Sequence, residues 1–480
     1  MISLKQKSFI EKSALLIALL FYSALQTNAI IHKNYAGQDF QSHKRQIERS
    51  AVEPLKTLTY PLVVGGGIST VYHFIGGRIF NLIDKDCYME FLAFAHLVLN
   101  IFALLLFYKL MKGIIHSQII RLSCFIFITF LPTIVIPSVV ISGDAMANFL
   151  FILIAWLMIG LWKKSQSWPI LISLMVVLSV VLLFAFNIKF NLGAFIVAVF
   201  LIISLFFKNK IFDFKKYLCA VILLIILPMG IIFIQYKLYI HKQIWPPTQA
   251  SSSKFKDVSH INLRSLVFFR KPDVKLLDAP YFHEYKTVES RLTQPIFLMN
   301  YYSYPGLLHL ALYTDVLNIY QPIYYEKYDP LSIKYHSAKD EYFNRLRSKE
   351  NQNKMAIAVK AGIPFSLGTL LVVLWLTLSQ LWNVFFKKEH IDYPLFILTT
   401  FSVTYYILTL THTLTQEWSY VHGGWLPRHV MPALLSFFIL AFVGIDKWLA
   451  KRPLFYRIIL MGFIIFQSCL HFSFLWVRGN

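Results

Sequence analysis

Long runs of apolar residues alternate with short polar connections along most of the chain. A helix needs about 20 mainly apolar residues to cross a bilayer, and about eleven runs approach that length. Helices are the expected spanning form, because they satisfy their own backbone hydrogen bonds. The pattern therefore predicts an all-α polytopic membrane protein. Its predicted spans lie at 13–31, 88–108, 119–140, 145–162, 168–186, 189–207, 217–235, 358–383, 392–412, 430–446 and 456–474.

The connections divide the chain into three predicted parts. Residues 1–235 hold the first seven spans, residues 236–357 form one long polar and aromatic segment, and residues 358–480 hold the remaining spans. After the first span, the stretch 60–83 is apolar but interrupted by glycine. It is predicted to form helices that lie at the membrane interface rather than cross it.

Every second connection is basic, with clusters around 5–12, 109–121, 163–164, 208–216, 387–388 and 447–457. The positive-inside rule assigns these connections, and the N-terminus, to the cytoplasm. The remaining connections then face outward: 32–87, 141–144, 187–188, 236–357 and 413–429. A cleaved signal peptide is the alternative for residues 1–29, and both interpretations leave residue 32 outside.

Composition supports the membrane assignment. Hydrophobic residues make up 57% and charged residues 15% of the 480 positions, whereas soluble domains average about 25% charged residues. The net charge of +22 could indicate nucleic-acid binding. Much of the basic excess, however, lies in short clusters between apolar runs, where it contacts lipid head groups. We therefore expect no nucleic-acid partner and place the protein in a bacterial inner membrane.

Two carboxylates stand on connections predicted to face outward. Asp144 ends the short sequence Ile141-Ser-Gly-Asp, which cannot reach far into water and so holds the carboxylate at the membrane surface. Its alternative role is to stabilise the start of the following helix. Asp39 and His43 are four residues apart, so they can share a helical face and hold a proton or a phosphate. A solvated loop or a helix cap is the alternative there.

Two cations occupy outward connections where a cation has little local benefit. Lys189 lies in a tight hairpin, and Arg428, with His422 nearby, comes just before the tenth span. A phosphate is a suitable ligand for both cations, although Lys189 could instead extend towards the interface. In the long segment, Tyr313 and Asp315 belong to an aromatic-rich stretch that suits either a sugar-stacking surface or an interfacial aromatic belt.

The order and sidedness of Asp39, Asp144, Lys189 and Arg428-His-Val-Met-Pro432 resemble the GT-C glycosyltransferase superfamily, best over residues 30–230. That group includes the protein O-mannosyltransferases and the aminoarabinose transferases of lipid A. The resemblance implies a polyprenyl-phosphate-linked sugar donor and inversion at the anomeric carbon. It also implies an outer-face acceptor, either a membrane lipid, a glycan or a protein. Phe40 follows Asp39 where many relatives have glutamate, so no metal site is assigned and the cofactor stays unknown.

The residue types suit glycosyl transfer. Asp39 and Asp144 are the predicted catalytic residues, and Asp39 can act as the general base for an acceptor hydroxyl. The predicted substrate-binding residues include cations for the departing phosphate; they are His43, Lys189, Tyr313, Asp315, His422 and Arg428. An O-antigen ligase or polymerase is one alternative, and a lipid or sugar transporter (flippase) is another. The scarcity of acids at the predicted span centres disfavours proton-coupled transport.

Overall fold

The computed structural model of the protein describes residues 4–33, 35, 40–52, 70–84, 86–188, 194–239, 309, 312, 313, 349–387, 391–415 and 425–479. All regular secondary structure in these residues is helical, as the sequence predicted. The helices are α1 (Leu4–Ile31), α2 (Phe40–Val52), α3 (Thr70–Leu82), α4 (Tyr88–Lys112), α5 (Gln118–Thr129), α6 (Pro132–Val135), α7 (Asp144–Lys163), α8 (Trp168–Ile188), α9 (Ala194–Lys208), α10 (Phe214–Val221), α11 (Leu227–Tyr239), α12 (Lys349–Trp382), α13 (Tyr393–Thr415), α14 (Trp425–Leu449) and α15 (Leu454–Gly479). A 3-10 turn at Ile136–Ser138 follows α6, and π-helical turns lie at Ile222–Ile226 and Asn383–Lys387.

Eight helices in the described part of the chain are long and apolar enough to cross a membrane. They are Phe9–Ile31, Tyr88–Lys112, Ala145–Lys163, Trp168–Ile188, Phe214–Ile234, Asn353–Trp382, Pro432–Leu449 and Leu454–Val477. All eight overlap regions that the sequence predicted as spans. The other three predicted spans contain shorter apolar helices, at Gln118–Thr129, Phe195–Lys208 and Tyr393–Thr409. The total of about eleven crossings therefore stays a prediction.

The segment 119–140 is not the single helix that the sequence predicted, and this prediction is wrong. Helix α5 ends at Thr129, α6 has only four residues, and the 3-10 turn follows directly. Proline has no backbone N–H and disfavours a helical residue before it. Leu131, which precedes Pro132, accordingly has an extended backbone with ψ of 123°. Pro132 therefore separates α5 from the short helix that follows, and a buried break replaces the end of the predicted span.

Polar contacts join α1, α4 and α5 at one end of the bundle. The Glu11 carboxylate near the start of α1 forms an ion pair with Arg121 of α5 at 3.1 Å. The same carboxylate accepts a hydrogen bond from the Tyr108 hydroxyl near the end of α4. Arg121 also donates to the carbonyl of Ile115 at 2.8 Å, in the connection between α4 and α5. These contacts hold the start of α1 beside the α4–α5 connection.

The C-terminal ends of helices α7 and α14 both lie beside the connection between α4 and α5. The Asp446 carboxylate, near the end of α14, accepts hydrogen bonds from the backbone N–H groups of His116 (2.9 Å) and Ser117 (3.3 Å). The Lys163 ammonium at the end of α7 lies 4.0 Å from the position of a Cβ on Gly113. We call this region the basic end, and it comprises residues 4–12, 109–121, 163–164 and 446–452.

The opposite end of the bundle, which we call the site end, comprises residues 31–33, 35, 84, 86–90, 139–144 and 425–428. Near the end of α1, the Asn28 amide donates to the carbonyl of Trp476 in α15 at 3.3 Å. Arg428 precedes Asp446 by 18 positions in α14, which is roughly 27 Å along a helix. Because Asp446 lies at the basic end, the backbone of Arg428 lies at the site end.

Stacked aromatic rings form the centre of the core. The ring of Phe195 on α9 lies 4.6 Å from that of Phe401 and 4.9 Å from that of Tyr405, both on α13. Phe151 on α7 packs edge-on or tilted against the same three rings. Helices from 1–235 and from 358–480 therefore share one core, although the sequence assigns them to separate parts of the chain.

Candidate functional site

The first two connections that the sequence predicted to face outward meet at the site end. The backbone N–H of Ile141 donates to the carbonyl of Tyr35 at 3.1 Å. Both side chains are buried in a small apolar cluster that also includes Ile47 of α2, Tyr72 of α3 and Tyr88 at the start of α4. Helix α2 begins one residue after Asp39, and α7 begins at Asp144. The cluster therefore ties together the two helices that follow the two predicted catalytic carboxylates.

Helices α2 and α3 pack as a close pair, each too short to cross a bilayer. In α2, His43, Ile47, Ser50 and Ala51 are buried and share one helical face. That face meets Gly76 and Gly77 of α3, where a Cβ added to Gly77 would lie 2.7 Å from the backbone nitrogen of Ala51. Glycine is therefore required at 77 for this approach. The pair matches the prediction of short helices between the first two spans, and residues 53–69 lie outside the described residues.

Substitution of Gly77 by alanine is expected to push α3 away from α2. The added methyl group meets backbone atoms, which cannot rotate aside, and overpacking of this kind costs about 1–3 kcal/mol of stability. The matched control is Gly368→Ala in α12, where an added Cβ meets nothing within 4 Å and helix propensity alone favours alanine. Melting temperatures in detergent check the prediction. A Gly77→Ala protein as stable as Gly368→Ala would contradict the close approach.

A buried cluster of histidine and tyrosine side chains joins α2, α3 and α4. His43 Nδ1 lies 2.8 Å from His73 Nε2, and their rings stack with centroids 5.1 Å apart. The Tyr72 ring packs edge-on against His43 and lies 5.6 Å from His96 on α4. His43 is only 6% exposed. Its imidazole thus contacts other aromatic side chains, and any role in substrate binding would be exerted through this buried cluster.

Ionic contacts fix the connection after α1 to the start of α4. The Tyr35 hydroxyl donates to a Glu90 carboxylate oxygen at 2.9 Å, and the Lys33 ammonium lies 3.3 Å from the same oxygen. The Tyr88 hydroxyl donates to Glu48 of α2 at 3.0 Å. Both carboxylates lie close to the path of the first connection. They hold the backbone on either side of residues 36–39, which lie outside the described residues.

The predicted site residues divide into described and undescribed positions. Asp144 is the first residue of α7, and Arg428 lies in the first turn of α14, so both backbones are at the site end. Helix α14 packs against α6 and α7, close to the break that leads to Asp144. Four predicted residues lie outside the described residues, namely Asp39, Lys189, Asp315 and His422. Lys189 directly follows α8, which packs against α3.

Tyr313 lies inside the bundle, against α12 and α15. It has no exposed surface, and its hydroxyl lies 3.4 Å from both the Gly362 carbonyl and the Ser366 hydroxyl. Its ring would overlap a Cβ on Gly362, so glycine makes room for it. The His471 ring of α15 packs 5.6 Å away. Tyr313 thus anchors part of the long connection to the bundle, and its predicted contact with substrate stays a prediction.

His309 adds a second anchor beside Tyr313. Burial lowers the pKa of His309 to about 4, so the imidazole is neutral at pH 7. The carbonyl of Val359 can only accept, so His309 Nε2 donates to it at 2.9 Å. His309 Nδ1 then accepts from the Ser366 hydroxyl at 2.9 Å. The neutral imidazole therefore joins the long connection to α12 through two hydrogen bonds.

Sequence reasoning missed several polar residues at the site end. His96 and Asn100 face the break from within α4, and Gln26 faces it from α1. Their signal was available, because buried polar residues are uncommon in apolar spans and usually have specific partners. The contact between His43 and His73 could not be predicted in this way, because the two residues are 30 positions apart and lie on different helices. In the described part of the chain, no group of three or more His, Cys, Asp or Glu side chains is arranged to hold a metal ion.

Comparison with solved structures identifies the architecture. The archaeal oligosaccharyltransferase AglB from Archaeoglobus fulgidus, solved with an inhibitory peptide and a dolichol-phosphate, matches 98% of this chain with a TM-score of 0.50 at 10% identity. This chain has the GT-C fold. An apo oligosaccharyltransferase structure from Archaeoglobus fulgidus gives a TM-score of 0.48 at 9% identity.

The GT-C fold and the apolar helices together make this chain an integral, multi-pass membrane protein. The chain spans 56% of the length of the AglB chain that it matches. No protein-family model and no curated protein matches the sequence. The relationship is therefore visible in the arrangement of helices rather than in the residues.

Proposed function

We propose that the protein is a glycosyltransferase that moves a sugar from a polyprenyl-phosphate-linked donor to an acceptor on the outer face of the membrane. The observation that carries the proposal is the structural match to AglB over 98% of the chain. That enzyme was solved with a dolichol-phosphate and an inhibitory peptide, so its fold accommodates a lipid-linked phosphate together with an acceptor-like ligand. A membrane lipid, a glycan or a protein is the acceptor class in our proposal.

The contact between the first two connections supports a shared site for both carboxylates. Tyr35 and Ile141 share a backbone hydrogen bond, and Asp39 and Asp144 follow them by four and three residues. Four residues of extended chain reach at most about 14 Å. This short reach supports the proposal that both carboxylates act on one substrate at the site end.

The proposed reaction is a displacement at the anomeric carbon with inversion. Asp39 accepts the proton of the acceptor hydroxyl while that oxygen forms a bond to the anomeric carbon. The bond between the anomeric carbon and the phosphate oxygen breaks, and the polyprenyl phosphate leaves with the bonding electrons. Lys189 and Arg428 stabilise its negative charge. Asp144 provides a second carboxylate at the reacting centre.

The remaining predicted residues complete the proposed binding surface. His422 precedes Arg428 by six positions and belongs with the phosphate, whereas Asp315 belongs to the long connection and serves the sugar or the acceptor. Tyr313 is buried, so its part in the proposal is to hold that connection against α12. His43 acts through its contact with His73.

The proposed orientation has the basic end in the cytoplasm and the site end outside. Basic connections cluster at one end of the bundle, as the positive-inside rule requires. Single cysteines at Gln38, Gly143 and Asn300 are then expected to react with an impermeant maleimide in intact cells. The exposed natural cysteines, Cys87 and Cys469, are replaced by serine beforehand.

Lys210→Cys is the matched control for this labelling, because it lies in a basic connection and is expected to react only after permeabilisation. A cysteine at 143 that reacts only in permeabilised cells, while one at 300 reacts in intact cells, would separate the second connection from the outer face. The proposal that Asp39 and Asp144 share one site would then be wrong.

Transfer itself is tested with purified protein and a panel of radiolabelled polyprenyl-phosphate sugars, mixed with membrane extracts as acceptors. The expected result is label on an acceptor, with release of polyprenyl phosphate in equal amount. Movement of the labelled donor across a vesicle membrane without transfer would instead indicate a flippase. Transfer that needs a pyrophosphate-linked polysaccharide donor would indicate a ligase.

A further inference from the structure

The chain between α5 and α7 passes through the bundle interior without a continuous helix. Its described side chains from Leu131 to Ile141 are all buried. Backbone carbonyls in such a segment need hydrogen-bond donors, because neither a regular helix nor water satisfies them. Side chains of α1 and α4 supply these donors, and each does so at a specific carbonyl.

Gln26 of α1 holds the first half of the break. Its Nε2 donates to the Val135 carbonyl at 2.7 Å and to the Ser138 hydroxyl at 2.5 Å. The Ser138 hydroxyl in turn donates to the Val135 carbonyl at 2.5 Å. Gln26 is 1% exposed, so water does not compete for its amide. These bonds attach the turn at Ile136–Ser138 to α1.

Asn100 and His96 of α4 hold the second half. Asn100 Nδ2 donates to the Ser138 carbonyl at 3.2 Å and to the His96 carbonyl at 2.8 Å. His96 Nδ1 lies 3.1 Å from the Val140 carbonyl, and because a carbonyl can only accept, Nδ1 carries the proton. Side chains from two consecutive turns of α4 thus form hydrogen bonds with the backbone at Ser138 and Val140.

The connection from these hydrogen bonds to the start of α7 is short and is itself hydrogen-bonded. Asp144 follows Val140 by four residues. Within those residues, the Ser142 N–H donates to the Val140 carbonyl at 2.8 Å, and the Ile141 N–H donates to Tyr35 at 3.1 Å. Any shift of the break is therefore passed on to Asp144.

We propose that Gln26, His96 and Asn100 are positioning residues, which set the backbone position of Asp144 by holding the backbone of residues 135–140. Apart from the bond of Asn100 to the His96 carbonyl, the hydrogen bonds described for them are made with that backbone and its Ser138 hydroxyl, and the three residues act through these bonds. The inference rests on the proposed function, because the position of Asp144 affects turnover only if Asp144 acts on the substrate.

A purely structural role is the competing explanation, since buried amides also stabilise helix packing. The two explanations differ in what they predict for kinetics. Loss of stability lowers the amount of folded enzyme, whereas a displaced carboxylate lowers kcat of the enzyme that remains folded. A displacement of about 1 Å at a reacting group can cost about 100-fold in rate.

The experiment compares Gln26→Leu, Asn100→Leu and the milder Ser138→Ala with a matched control, Gln467→Leu. Gln467 is also fully buried, and its amide donates to the Ala358 carbonyl at 2.7 Å, away from the break. His96→Leu is paired with His96→Asn, whose amide nitrogen can replace Nδ1 as a donor. Each full-length protein is purified, and kcat and the donor KM are measured per folded molecule.

The variants at the break are expected to lose about 10-fold or more in kcat, while the donor KM changes by less than about twofold because the donor contacts are intact. His96→Asn should recover most of the loss in His96→Leu. Gln467→Leu should keep the kcat of the unsubstituted protein. A second measurement follows the reaction rate of a thiol at Gly143→Cys, which should change in Gln26→Leu, Asn100→Leu and His96→Leu and stay unchanged in Gln467→Leu.

An equal loss of kcat in Gln467→Leu overturns the inference and leaves the transferase assignment intact. An unchanged thiol rate at 143 in Gln26→Leu, Asn100→Leu and His96→Leu also overturns the inference. The thiol measurement needs no substrate, so it also tests the inference when a variant is too unstable for kinetics. If no lipid-linked donor supports transfer by the unsubstituted protein, the proposed function fails, and the thiol rates still report whether the break sets the position of residue 143.

Discussion

Replacement of Asp39 by asparagine is expected to lower the rate of sugar transfer by about 100-fold or more, the usual contribution of a general base. The amide has nearly the same shape as the carboxylate, but it cannot accept the proton of the acceptor hydroxyl. Donor affinity should survive, because a neutral amide fits the same space. Turnover at saturating donor, together with a direct titration of donor binding, separates these two effects.

The matched control is Asp86→Asn. Asp86 is exposed on the same connection, just before α4, and its backbone N–H is bonded to Asp84. It should keep normal turnover. Near-normal turnover in Asp39→Asn would remove Asp39 from the role of base, and Asp144→Asn would then be expected to show the large loss.

Replacement of Arg428 by alanine is expected to weaken donor binding by about 1.5–3 kcal/mol, the scale of a charge-assisted hydrogen bond. That corresponds to roughly 10- to 150-fold in the dissociation constant. Arg428→Lys should rescue the loss only in part, because an ammonium group cannot reproduce the two parallel contacts of a guanidinium. Acceptor affinity should change little. Titration of the donor into each purified variant provides the measurement.

Arg452→Ala is the control for charge, since Arg452 lies beyond the other end of α14, over the Trp448 ring. It should bind donor normally. A double-mutant cycle with Lys189→Ala then asks whether the two cations hold one phosphate. Full additivity would mean that they do not share a ligand, and unchanged donor affinity in both single variants would refute the phosphate site.

The length of the apolar runs was enough to predict the long helices. Apolar runs located every long helix in the described part of the chain. The contacts of Glu11, Lys163 and Asp446 bring several of the basic connections together at one end of the bundle, and their sidedness stays a prediction. The break after Thr129 was missed, because the average composition of residues 119–140 is as apolar as that of a spanning helix. Pro132 and Pro137 are visible in that stretch, but their effect depends on whether neighbouring helices can satisfy the freed carbonyls.

The candidate site was harder to predict, because its contacts join distant segments. The spacing of Asp39 and His43 indicated a shared helical face, yet it could not reveal that α3 covers His43 through His73. Likewise Tyr313 belongs to an aromatic-rich stretch, and only the space left by Gly362 turns it inward. A short-range pattern fixes which residues share a face, whereas burial of that face depends on a partner elsewhere in the chain.

The contact between α1 and α15 has a consequence for biosynthesis. Phe21 packs edge-on against Phe472, and Asn28 donates to the Trp476 carbonyl, so α1 completes its burial only against α15. The ribosome makes α1 before α15, and more than four hundred residues separate the two helices. Throughout that interval one flank of α1 has only lipid or the insertion machinery as a neighbour. Burial of that flank therefore requires a late docking step, in which α15 packs on a helix made more than four hundred residues earlier.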